Sequence, residues 1–293
     1  MAAADDADAD AAGAAAYRDF TVPGTTAGQA RDWLALPPAE RPVVPPRASA
    51  TVLVLRDEPQ LEVFVLRRAA GMAFAAGMLA FPGGGVDPRD GDEDVRWAGP
   101  APQEWARRLQ TDERTARELV TAAAREVFEE CGVLLAGAGP EQVVADLSDP
   151  GWGLERARLL DRSQSFAQML ARRSLVLRSD LLALRGHWVT PECEPRRYDT
   201  RFFAARIPPG QVADDASTEA EVAGWWRPGQ VLRAHDDGTE LVLPPTRVMV
   251  EQLVGVEDLD AWLTTRVEVA AVLPEPVEHG GRVWMRTTAG TPG

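Results

Sequence analysis

The order of apolar and polar positions divides the chain into short strands followed by helices. Residues 51–55 and 61–66 are β-branched and aliphatic runs. Between them stands Arg56-Asp57-Glu58-Pro59-Gln60, a turn cluster, so the two runs predict an antiparallel hairpin. Residues 77–81 predict a third short strand feeding a turn at Gly83-Gly84-Gly85, where the missing side chains let a ligand approach the backbone. From 113 to 131 the pattern changes to that of a long helix. At about 100° per residue, Ala124, Val127, Phe128, Cys131 and Leu135 gather on one side of it. Glu126, Glu129 and Glu130 fall on the opposite side, within an arc of roughly 100°.

Beyond this helix, residues 154–174 alternate charged and apolar groups at helical spacing, with Phe166, Met169 and Leu170 as a core stripe. Residues 196–206 alternate as a strand does. Arg197, Asp199, Arg201 and Phe203 share one side of it, and Arg196, Tyr198, Thr200 and Phe202 the other. A further strand is predicted at 219–226, with helices at 102–109, 228–234, 246–253 and 259–265. The end after Pro274 reads as a loose strand and a tail. No repeat occurs at a fixed period.

Composition narrows the class. With 293 residues, 45% apolar and 26% charged, the chain fits one large or two small globular domains. Residues 1–16 are Ala/Asp-rich and too poor in large apolar groups to order, and five prolines between 37 and 46 make an extended lead-in. No apolar run approaches a membrane span and no apolar leader opens the chain, so the expected location is the cytoplasm. Two cysteines and three scattered histidines predict neither a disulfide framework nor a zinc site. A net charge of −14 excludes a general nucleic-acid or anionic-membrane surface, so a polyanion must be met by a local positive site. All 31 basic residues are arginine.

The glutamate face carries the chemistry. Three carboxylates at this spacing repel one another, and a divalent cation reverses the sign. Arg125, four residues before Glu129, can brace it from the side. The run R-E-V-F-E-E-C-G-V, from Arg125 to Val133, matches the second half of the Nudix box, R-E-U-x-E-E-x-G-U with U aliphatic, and Phe81-Pro82-Gly83-Gly84 resembles its opening. The box spaces its glycine 14 positions from this arginine. Here the offset is 41 (125 − 84), so about 27 residues interrupt it. Counted back eight from Arg125, the first box glutamate falls on Arg117, with Glu118 one step away.

This resemblance to the Nudix hydrolases implies an α+β fold, an α/β/α sandwich with a mixed central sheet. The domain would occupy 48–256, after a disordered acidic and Pro-rich segment at 1–47 and before a C-terminal extension at 257–293. The insertion, about 86–114, would be a surface element beside the site. Mg²⁺ or Mn²⁺ would be held by Glu126, Glu129, Glu130 and the Gly84 carbonyl, with Arg125 orienting a carboxylate. The base would be one of the three glutamates or a loop residue such as Glu219 or Glu221. The interrupted box, G-H-W-V-T-P, R-R-Y-D-T-R-F-F and P-P-T resemble the branch containing the mammalian peroxisomal coenzyme A diphosphatase. A second coenzyme A signature is met at Arg68, Gly77 and Phe81, and not at Ala73. The expected substrate is a small nucleotide, coenzyme A or its acyl derivative, contacted by Arg68, Arg196, Arg197 and Phe202. ADP-ribose, a dinucleotide or a nucleotide sugar is the alternative, and a non-catalytic nucleotide-binding module the remaining one. The oligomeric state stays open, a homodimer included.

Overall fold

The structure is a computed structural model and describes residues 17–22, 24–69, 71, 75–214 and 220–288. The stretch 1–16, expected to be disordered, lies outside them. The chain then forms β1 (Tyr17–Thr21) and α1 (Gly24–Ala35), where the sequence predicted only a lead-in. The reason is long-range pairing: β1 runs antiparallel to a strand at the other end of the chain, Tyr17 opposite Thr288, and no local pattern announces that. Ala30 of α1 packs with Val283 and Met285.

The predicted hairpin is present as β2 (Arg47–Arg56) and β3 (Glu62–Arg68). β4 (Leu79–Ala80) adds to β3. The three glycines, expected as a turn, are instead β5 (Gly83–Gly85), antiparallel to Ser49–Thr51 of β2. A Cβ on Gly83 would lie 2.6 Å from the Ala50 carbonyl oxygen, so glycine is what permits the close approach.

The insertion forms a short 3-10 turn (Pro88–Gly91), β6 (Trp97–Ala98) and α2 (Pro102–Leu109) before α3 (Glu113–Cys131). It is not the surface excursion that was expected. Trp105 of α2 is fully buried and meets Phe203 edge-on, with ring centroids 5.8 Å apart, so the insertion completes the core. β7 (Ala136–Gly137), α4 (Pro150–Leu160), α5 (Phe166–Arg172) and β8 (Val176–Arg178) follow. The single helical stretch read over 154–174 is thus two helices. Asp161 ends α4, and the Ser165 hydroxyl accepts the Gln168 N–H at 3.2 Å to start α5.

β9 (Ala183–Val189), β10 (Tyr198–Arg206), β11 (Ala220–Trp226), α6 (Pro228–Asp236), α7 (Pro244–Glu251), α8 (Leu259–Thr264), β12 (Ala271–Val272), β13 (Glu275–His279) and β14 (Arg282–Thr288) complete the chain. Among the described residues the central sheet runs β11-β3-β2-β10-β9-β12, with β4 and β5 on its flank. β10 is parallel to β2 and antiparallel to β9, so the sheet is mixed. Alternation along β2 sends Val52 and Val54 to the face covered by α3 and Leu53 and Leu55 to the face covered by α6 and α7. The result is the expected α+β sandwich. Residues 275–288, expected as a loose strand, form an ordered hairpin, and β1-β14-β13 form a separate small sheet. No helix among the described residues is long and apolar enough to cross a membrane.

Candidate active site

Helix α3 builds the site because its two faces have different partners. The Asp112 carboxylate caps it by accepting the Thr115 N–H at 2.9 Å, and Gly132, at φ 70°, ends it in the left-handed conformation. Ala123, Val127 and Cys131 are buried in the core. That packing turns the acids toward β5. Glu130 Oε2 accepts the Gly83 N–H at 2.8 Å, and a Cβ on Gly84 would stand 2.5 Å from Glu126 Oε1.

Arg125 is the hub. Nε and Nη2 each donate to Asp90, both at 2.9 Å; Nη1 donates to Glu126 at 2.7 Å and Glu129 at 3.0 Å; Nη2 also donates to the Gly85 carbonyl at 2.9 Å. All five donors of the guanidinium are thereby used. Burial works to lower the Arg125 pKa, and the surrounding carboxylates, Asp90 foremost, outweigh it and raise it. Burial lifts Glu126 to about 7 against the pull of Arg125, and lifts Glu129 and Asp90 above their ordinary values.

Asp90 was missed in the sequence. Counting back from Arg125 led to Arg117 and Glu118, but Arg117 lies over the Trp97 ring and Glu118 pairs with Arg114 at 2.9 Å. Counting forward from Gly84 by the six positions of G-x5-E reaches Asp90, so the insertion sits behind the first acid of the box and aspartate replaces glutamate. The forward count was the available signal. Asp90 is 2% exposed and is held by its own turn, in which its Oδ2 accepts the Asp87 N–H at 2.8 Å.

A cavity of about 1290 Å³ opens over Glu126, Glu129, Glu130 and the three glycines. Arg68, Arg196 and Phe202, expected at the substrate, line it. Arg197, also expected there, does not. Alternation turns it to the other side of the strand entry, where it is 6% exposed and donates to the carbonyls of Thr190 and Val44 at 3.0 and 2.8 Å. Arg201, on that same side, is tied to Asp199 and His187. Glu219 lies outside the described residues, as does the side chain of Glu221.

Among the described residues, no three acidic, histidine or cysteine side chains converge as they stand on a point that would hold a metal ion, since Glu126 and Glu129 lean on Arg125. The donor chemistry nevertheless fits a hard cation: carboxylate and carbonyl oxygens, with no thiolate or imidazole.

A NUDIX hydrolase of Alicyclobacillus acidocaldarius has a crystal structure that matches with a TM-score of 0.64 and 28% identity, covering 76% of this chain and 97% of that one. A Caenorhabditis elegans protein named as a nudix hydrolase is 24% identical over 233 residues, which is 80% of this chain and 69% of that protein. In sequence and in fold the chain is thus similar to the Nudix hydrolases. No protein-family model matches it. Gly84, Asp90 and the Arg125–Val133 run are the residues that correspond to a Nudix box, with most of the insertion lying between Asp90 and Arg125.

Proposed function

We propose that this chain is a Nudix-type hydrolase that cleaves a diphosphate linkage in coenzyme A or an acyl-coenzyme A, with Mg²⁺ or Mn²⁺ as cofactor. The observation that supports the chemistry is the carboxylate face of α3, which opens onto a large cavity beside a strand of three glycines. Glu126, Glu129 and Glu130, with the Gly84 carbonyl, would hold the ion. When bound, it neutralises the diphosphate charge that otherwise repels an attacking water. Asp90 fixes Arg125, and Arg125 fixes Glu126 and Glu129, so the acids are aimed before substrate arrives. A carboxylate of this set takes the proton of the attacking water.

Coenzyme A is favoured by the interrupted box and the Arg196–Phe203 run, and by a cavity with room for a nucleotide and a long second group. Arg196 lies in that cavity, where a cation is needed for the 3′-phosphate. The test is a panel of coenzyme A, dephospho-coenzyme A, ADP-ribose, a dinucleotide and a nucleotide sugar, with product masses. Arg196→Ala is expected to lower kcat/KM for coenzyme A about ten- to a hundredfold more than for dephospho-coenzyme A. Equal losses on both, or preference for ADP-ribose by the wild type, would remove coenzyme A as the substrate.

A further inference from the structure

We propose that Arg162, in the loop between α4 and α5, contacts the substrate directly and grips its diphosphate. The inference rests on the reading above only in requiring that a phosphate anion enters the cavity. Arg162 lines that cavity together with Glu126 and Glu129. Its charge reaches Glu129, working against the upward shift of that carboxyl, after the larger effects of burial, Arg125 and Asp90. Yet among the described residues no hydrogen bond or ion pair engages its guanidinium. The other cations next to the acids are occupied. Arg125 has no donor left, and Arg89 is bound to both oxygens of Asp87, at 3.0 and 2.8 Å, and to two loop carbonyls.

The backbone under Arg162 is built to hold it. Its φ is 60°, the left-handed region that glycine enters without cost and a long side chain enters rarely. Its N–H donates to the Leu159 carbonyl at 3.0 Å, and its carbonyl accepts from Arg89 Nη1 at 3.1 Å. Two residues on, buried Gln164 donates to the Glu155 carbonyl and to Glu155 Oε2, each at 2.9 Å, while Arg172 at the end of α5 and Arg173 just after it hold Glu155. Arg162 itself is exposed, so none of this order is returned as packing of its side chain. A strained residue with an unengaged charge, in a loop locked on both sides and next to an acidic face, is a placement that serves a ligand. A diphosphate entering a protein of net charge −14 needs such a cation besides any metal.

The 3-10 turn of the insertion joins the two halves of the site. Asp90 reaches from it to Arg125 on α3, and Arg89 reaches from it to the Arg162 loop.

The test is calorimetric binding of ADP in Mg²⁺ to the full chain and four variants, with thermal melts of each. Arg162→Ala and Arg162→Gly are expected to weaken binding about tenfold or more, and Arg162→Lys less. Arg162→Gly is expected to melt at or above the wild type, because glycine relieves the φ of 60°. A structural role would lose stability and binding together. Arg266→Ala removes the same charge from an exposed arginine paired with Glu104 and is expected to bind ADP as the wild type does. Binding of ADP by Arg162→Gly within twofold of wild type, an equal loss in Arg266→Ala, or no ADP binding by the wild type would overturn the assignment. Turnover of coenzyme A is followed in parallel. If turnover is absent while the ADP pattern holds, the catalytic reading falls and Arg162 stands as the anion contact.

Discussion

Asp90→Asn tests the geometry most sharply, because it removes charge from the hub while changing almost no volume. Asp90 supplies two of the five acceptors around Arg125 and is 2% exposed, with Arg125 at 9%. Breaking a buried ion pair by neutralising one partner costs about 3–5 kcal/mol. Two features lower that figure here. Arg125 keeps Glu126, Glu129 and the Gly85 carbonyl, and an asparagine oxygen still accepts one bond. The expected loss is therefore about 2–3 kcal/mol, which for a domain of this size is roughly 5–10 °C in Tm. Activity is expected to fall by about ten- to a hundredfold, mostly in kcat, since Arg125 swings toward the glutamates it should aim. Melts with and without Mg²⁺, and steady-state kinetics on whichever diphosphate is cleaved, read both effects. Glu118→Gln is the control, one step from the position the backward count reached. Asp90→Asn melting within about 1 °C of wild type with unchanged kcat, or Glu118→Gln losing as much, would refute the assignment.

The three glycines of β5 are expected to separate under alanine substitution. Gly83→Ala meets the Ala50 backbone and costs fold stability, by about 1–3 kcal/mol or more; Gly84→Ala meets the Glu126 carboxylate and costs mainly activity; Gly85→Ala meets nothing, and stability and kinetics assays should find it near wild type. Mg²⁺ is expected to raise the Tm of the wild type more than that of Glu130→Gln, and equal responses would argue against metal on this face. The small sheet of the two termini is expected to loosen in acid. Arg286, bonded to Asp19 at 2.7 and 2.8 Å, holds the Asp19 carboxyl down to about 2. A depressed carboxylate contributes fully above its ordinary value of 3.8 and loses its contribution as pH falls toward 2, so protection of β1 amides from exchange should drop in that window and not above it.

What the sequence disclosed was local. The hairpin, α2 and α3 follow from patterns within about twenty residues, and α3 carries its own cap and stop, Asp112 and Gly132. Elements defined by distant partners stayed hidden. β1 needs β14, and Gly83–Gly85 looks like a turn until Ser49–Thr51 is placed against it. The site divides in the same way. The glutamates and Arg125 share one helix and one period, so they were legible. Asp90 is 35 residues from Arg125 and joins it only through the fold of the insertion. Arg197 was misplaced for a related reason: alternation offered two faces, and only the fold shows that Arg196 is the one that lines the cavity.

The central claim is that α3 presents a metal-dependent hydrolytic face. The most direct measurement is Mg²⁺-dependent cleavage of coenzyme A and the other diphosphates of the panel, with products identified by mass, by wild type and Glu129→Gln. The account predicts cleavage at the diphosphate by the wild type, abolished by chelation and reduced by orders of magnitude in Glu129→Gln, whose fold is retained. Identical background rates from both proteins on every substrate would contradict it.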